Sequence, residues 1–333
     1  MPSRTLDFFC FLATLTFEIS FAFFEGTRVV VTGSATMAFQ EIMTAAAKAG
    51  TTLDAVSVAF ALGHLARKRK AQSFDLAFRT LKYTLNDKAR HPAIGFGTYK
   101  CGVVPASATA GAGKRDIRSA KDIISDAIEV GYRMFDCAQF YDNEADVGEA
   151  LISTGVDRSE LYLISKVWNN TIFEGPEAVR AQVKKTLSDL QTDYLDLYLV
   201  HWPVPGHHIA AYLELEKLQK EGLVRSIGVS NYTVEDFNEL MAGGATVVPA
   251  VNQIEINPFL HREDTIRFFK SKGVQLQAYR SLRAGKQHDN EVLATIAAKH
   301  GKSVAQILGA WAVQHGYMCV ISLVHTSYAL LDD

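Results

Sequence analysis

No surplus of charge marks this sequence. Its 34 lysines and arginines stand against 36 aspartates and glutamates, a formal net charge of -2. No basic stripe is available to neutralise a phosphate backbone, which excludes a general nucleic-acid binder. The one basic run, residues 66–70 (ARKRK), reads as a solvated helix end. Cysteine is scarce: Cys10, Cys101, Cys137 and Cys319 are scattered, with no C-x-x-C pair and no paired histidine spacing. That supports neither a disulfide framework nor a zinc site and points to a reducing compartment, the cytoplasm. His207 and His208, adjacent in sequence, would chelate one metal poorly and read as surface residues.

Long apolar runs are missing near the N-terminus. Residues 8–17 are apolar but fall short of the roughly 20 residues of a membrane-crossing helix, so no stable span is expected. A short basic start precedes this run, and Ser20 and Ala22 follow it, two apart, ahead of Phe23. This is the outline of a secretory or organelle-targeting segment over residues 1–22, against which Asp7 and Glu18 count, and residues 1–25 are set apart on that ground. Residues 26–84 form an extension of unassigned role, with a strand-like RVVVTG followed by alanine-rich helical stretches. Its VVVTGSATMA turn lacks the later glycines of a dinucleotide loop.

From residue 85 to the end, at 333, short apolar runs alternate with amphipathic stretches. The strands read PAIGFGTY, RMFDCA, LYLISKVW, YLDLYLVHW, RSIGVSN, AVNQIEIN, VQLQAYRSL and YMCVISL, separated by helical patterns such as PEAVRAQVKKTLSDLQ. Such alternation predicts parallel pairing, and over about 240 residues a (β/α)8 TIM barrel is the economical closure. A doubly wound sheet is the other arrangement the alternation allows. In a barrel, chemistry gathers at the C-terminal ends of the strands. There the sequence places Asp136, Lys166, His201, Ser230, Asn231, Gln253, Glu255 and Tyr279. Singly, each has a plain explanation, such as a helix cap for Asp136 or a core imidazole for His201.

The blocks GYRMFDCAQFYDNEADVG, LISKVW, TLSDLQTDYLDLYLVHWP, IGVSN, VNQIEINP and LQAYRSL, in this order over residues 85–321, resemble the aldo-keto reductases. The short link after HWP resembles the compact microbial branch, of the prostaglandin F synthase and 2,5-diketo-D-gluconate reductase type. The resemblance implies NAD(P)H-dependent reduction of a small carbonyl substrate, an aldehyde or ketone, through a tetrad of Asp136, Tyr141, Lys166 and His201. Tyr141 would be the general acid, its pKa of about 10 drawn down by Lys166. Asp136 would keep Lys166 charged, and His201 would orient the substrate oxygen. It further implies that Ser230, Asn231 and Gln253 bind the nicotinamide carboxamide and that Tyr279 stacks on its ring. Thr98, Ser281 and Leu282 would also line the cofactor path. Tyr99, Trp168 and Trp202 would line the substrate pocket.

Two departures from the family pattern stand out. Strand seven reads YRSLRAG where YSPLG is commoner, which adds Arg280 and Arg283 near the expected cofactor path or on the open surface. After strand eight the family continues with IPKS, a phosphate-binding turn and a last helix, whereas this sequence reads CVISLVHTSYALLDD. Ser322 and Leu323 stand where proline and lysine would be, so no 2′-phosphate site for the expected NADPH is recognisable. A truncated or mispredicted product is the expectation from these two ends. It leaves open a catalytically impaired or regulatory barrel that binds cofactor or a partner without turnover. An unrelated lyase or isomerase barrel would need phosphate-binding glycines, for which RAGK is a faint match.

Overall fold

The computed structural model describes residues 81–102, 118–283 and 290–321, with the backbone of two short strands nearer the N-terminus. These two, β1 (Ile19–Ala22) and β2 (Arg28–Val31), pair antiparallel. The strand expected at RVVVTG is therefore present, and Ser20 and Ala22 of the targeting outline lie on its partner. The apolar run at 8–17, Cys10, the turn after Val31, the helical stretches with the basic run, and Ser322 and Leu323 lie outside the described residues.

The antiparallel hairpin β3 (Lys82–Thr84) and β4 (Arg90–Pro92) leads into eight parallel strands. These are β5 (Ile94–Gly97), β6 (Met134–Asp136), β7 (Tyr162–Val167) and β8 (Leu195–Val200). The ring continues with β9 (Val224–Ser230), β10 (Val251–Glu255), β11 (Gln275–Tyr279) and β12 (Met318–Ile321). Strand β12 pairs parallel with β5, Cys319 opposite Ile94 and Ile321 opposite Phe96, so the sheet closes on itself. Closure decides between the two expected arrangements: this is a (β/α)8 barrel and not an open doubly wound sheet.

Side chains on a strand alternate between faces, and that parity sorts each strand here. Phe135, Leu163, Tyr198, Val229, Ile254 and Leu276 belong to the layer between the strands and the helices. Met134, Ile164, Leu197, Leu199, Val251 and Met318 fill the barrel interior, together with Leu81, Tyr83 and Leu85 of the hairpin. The hairpin is thus the floor of the barrel, and the boundary expected at residue 85 falls within it. Two residues above Met134, Ile164 and Val251, the same inward parity brings Asp136, Lys166 and Gln253.

The helices start where side chains can satisfy their free N–H groups. Ser119 caps Ala120–Val130, and Thr233 with Asp236 and Ser303 with Gln306 form capping boxes for Val234–Ala242 and Val304–Gln314. Close backbone approach requires Gly228 on β9, where a Cβ would lie 2.6 Å from Val251 O and 2.8 Å from Leu199 Cδ2. No helix among the described residues is long and apolar enough to cross a membrane.

Candidate active site

The strand ends on one side of the barrel bring the sequence-derived residues together. Lys166, fully buried on β7, donates from Nζ to Asp136 Oδ2 and to Cys137 O, each at 2.8 Å. Its third contact is Tyr141 Oη at 3.3 Å. An ammonium has three donors, and all three are used. Burial alone would drive off the Lys166 proton, but Asp136 and Tyr141 outweigh it and raise the pKa.

Tyr141 ends a one-turn 3-10 segment, Gln139–Tyr141, that leaves β6. Gln139 ties this turn to the next strand's loop: its Oε1 accepts from Trp168 N and its Nε2 donates to Thr171 Oγ1, both at 2.7 Å. Behind it, Glu144 opens helix Glu144–Ser153 and accepts from Ser165 Oγ, the residue before Lys166, at 2.5 Å. Tyr141 is thus held against Lys166 from both sides.

The expected lowering of the Tyr141 pKa is not the net result. Burial pushes the phenol up to about 12, with Lys166 pulling it down against that trend. Desolvation wins because a phenolate at this part-buried position would lose much of its water and gain only the lysine's charge in return. His201, at the end of β8, has a pKa well below the usual imidazole value through burial and then Lys166, and is neutral at pH 7.

Three aromatic rings surround the tyrosine and the imidazole. Trp168 meets His201 edge-on at 4.9 Å and stacks on Phe140 at 4.0 Å, while Tyr99 lies 5.1 Å from Tyr141. Trp202 is 42% exposed and stands outside this cluster. Phe140 was not anticipated from the sequence. Its place between two site residues, in a turn after a barrel strand, was the available signal.

Ser230, Asn231 and Gln253 meet at the ends of β9 and β10. Ser230 Oγ donates to Gln253 O at 2.8 Å and accepts from Asn231 Nδ2 at 3.1 Å. Asn231, with φ of 61°, also donates to His201 O at 3.0 Å, and its Oδ1 accepts from Tyr279 Oη at 2.8 Å. Gln253 Nε2 donates to Asp136 Oδ1 at 2.9 Å and to Gln277 Oε1 at 2.7 Å. This set of amides and a hydroxyl suits a carboxamide, which both donates and accepts.

Thr98 is buried and its hydroxyl donates to Asp136 O at 3.1 Å, supporting the tetrad from below. Ser281 is buried, and Leu282 packs on Ala312, Cys319 and Ile321. Arg280 and Arg283 lie 3.5 and 3.7 Å from the Glu255 carboxylate. His207 is exposed as expected, but His208 is buried and its Nδ1 meets Tyr232 Oη at 3.0 Å, because it opens helix His208–Lys220 facing the core. Among the described residues, no cluster of three or more His, Cys, Asp or Glu could hold a metal ion.

A model of the "Aldo/keto reductase family" matches residues 93–331. The chain is 44% identical over 201 residues to a glyoxal reductase of Bacillus subtilis, covering 60% of this chain and 72% of that one. It is 37% identical over 234 residues to methylglyoxal reductase DkgB of Salmonella typhimurium, covering 69% and 82%. The solved aldo/keto reductase of Brucella melitensis superposes with a TM-score of 0.65 at 31% identity, over 74% of this chain and 89% of that one. With its closed barrel and its match over residues 93–331, the chain belongs to the aldo/keto reductase family.

Proposed function

We propose that this protein reduces small aldehydes or ketones with NADPH, Tyr141 delivering the proton. The observation that carries the reading is the chain from buried Asp136 through buried Lys166 to part-buried Tyr141, at 2.8 and 3.3 Å. A bound reduced nicotinamide supplies the hydride; the residues must place the carbonyl and protonate its oxygen. Tyr141, with its pKa near 12, stays protonated through the neutral range. It still yields its proton readily to an alkoxide, about as basic as hydroxide, since water has a pKa of about 15.7. Lys166 then balances the phenolate, and Asp136 keeps that ammonium from discharging. Neutral His201 orients the carbonyl oxygen beside Tyr141 Oη.

The rings of Tyr99, Phe140 and Trp168 offer apolar faces to a substrate body, so tolerance of many carbonyls is expected. Methylglyoxal, the substrate in the name of one relative, is a suitable first probe. The free buried thiols Cys101, Cys137 and Cys319 suit a reducing compartment such as the cytoplasm. No comparison favours a barrel that binds without turnover, and the meeting of Asp136, Lys166 and Tyr141 supports the active reading. Purified protein should consume NADPH on adding methylglyoxal, and Tyr141→Phe should lower kcat by about a hundredfold or more while cofactor still binds. Undiminished turnover in that variant removes Tyr141 as the acid.

A further inference from the structure

Gln277 lies fully buried inside the barrel, directly opposite Gln253 in the register of β10 and β11. We propose that Gln277 is a positioning residue that, together with Asp136, fixes which way round the Gln253 amide faces. The site then accepts, through Gln253 Oε1, the N–H of the cofactor's carboxamide. The inference rests on reading Ser230, Asn231 and Gln253 as the nicotinamide subsite.

The polarity of the ion pair is fixed. Lys166 can only donate, and the paired Asp136 carboxylate can only accept. Asp136 Oδ2 takes the lysine at 2.8 Å, so Oδ1, at 2.9 Å from the Gln253 amide, must face its Nε2. Turned over, that amide would set oxygen against oxygen in a dry interior. The second N–H of Gln253 needs an acceptor as well, and Gln277 Oε1 supplies it at 2.7 Å. The other end of Gln277 agrees with this direction: its Nε2 faces Met134 Sδ at 4.0 Å, a weak acceptor that offers nothing to a carbonyl. With both N–H groups engaged, Gln253 has only Oε1 left for a ligand. Remove the Gln277 acceptor, and either N–H of Gln253 can meet Asp136 Oδ1, so the amide can turn and present the other to the ligand.

A cofactor analogue reads this polarity directly. In 3-acetylpyridine adenine dinucleotide phosphate a methyl replaces the amide –NH2, so the carbonyl acceptor stays and the donor is lost. Affinities for NADP+ and this analogue are measured on the full chain by quenching of tryptophan fluorescence, with thermal unfolding as the check on folding. The wild type should bind the analogue about tenfold more weakly than NADP+, the cost of leaving Oε1 unpaired. Gln277→Met, of similar length but without a carbonyl, should shrink that preference to about twofold or less, because Gln253 can then donate. Gln277→Glu keeps an acceptor oxygen and should restore it.

A merely structural Gln277 would weaken both ligands in parallel and leave the ratio unchanged. The proposal is overturned if Gln277→Met keeps the wild-type ratio, or if the wild type binds both ligands equally. That wild-type comparison stands even if a variant fails to fold. Failure of the wild type to bind NADP+ at all would overturn the functional reading first, and this inference with it.

Discussion

At the scale of single residues, burial and charge compete for the same protons, and burial prevails more often than the sequence suggests. Tyr141 is one case; His91 is another. It sits on β4 in the barrel floor, fully buried, its Nδ1–H donating to Pro92 O at 2.7 Å and its ring 4.5 Å from that of Tyr162. Burial drives its pKa down to about 3, the carbonyl bond pulling only weakly the other way. Below about pH 6.5 the unfolded chain therefore binds a proton that the folded chain refuses. Stability from this group is complete above pH 6.5 and drains away as pH falls toward 3, by about 2 kcal/mol at pH 5. Urea unfolding at pH 7 and pH 5 should show that loss, and His91→Phe should shrink the difference by about that amount. The grouping of Asp136, Tyr141, Lys166 and His201 was legible in the sequence because they lie at or just past the ends of apolar strands, in blocks that match a family. Gln277 was not, since a glutamine facing a barrel interior is written like one facing water. Its parity with Tyr279, between outward Leu276 and Ala278, is the one local sign of where it points.

At the scale of elements, the eight strands were readable as fully buried apolar runs. The hairpin β3–β4 and the six-residue helix Asn169–Glu174 are too short to show a period. Packing between helices was equally invisible. Gly148, on the helix that follows the Tyr141 turn, abuts the end of helix Pro176–Asp189. A Cβ there would lie 2.2 Å from Asp189 O and 2.7 Å from Leu190 Cα, both backbone atoms that cannot swing aside. Gly148→Ala should therefore cost about 1–3 kcal/mol of stability. Gly309, mid-helix in Val304–Gln314, has nothing within 4 Å of an added Cβ. Gly309→Ala should instead stabilise by up to about 1 kcal/mol through helix propensity. Thermal unfolding of the two variants side by side checks the opposite signs.

At the scale of the whole molecule, alternation of strands and helices did not reveal closure; the pairing of β12 with β5 does. The floor hairpin also bears on where the catalytic unit begins. Leu81 and Tyr83 are 9% and 5% exposed and pack under Ile164, Leu197 and Leu199. A chain begun at residue 85 opens a hole beneath Asp136 and Lys166 that a chain begun at residue 80 does not have. Losing the Tyr83 side chain alone should cost about 3 kcal/mol or more, by analogy with deletion of a buried aromatic. The shorter chain should thus unfold at lower denaturant, and equal midpoints would return the boundary to residue 85.

The bond from Tyr279 Oη to Asn231 Oδ1 has one more consequence. An amide oxygen carries two lone pairs, and the protein's own hydroxyl occupies one of them. An incoming N–H therefore finds a half-taken socket and must approach on the side the tyrosine leaves open. A ligand that needs both lone pairs must evict a tenant, exchanging one hydrogen bond for another of similar worth. The polar rim thus acts as an inspector of direction, admitting groups that fit the open side and turning away those that do not.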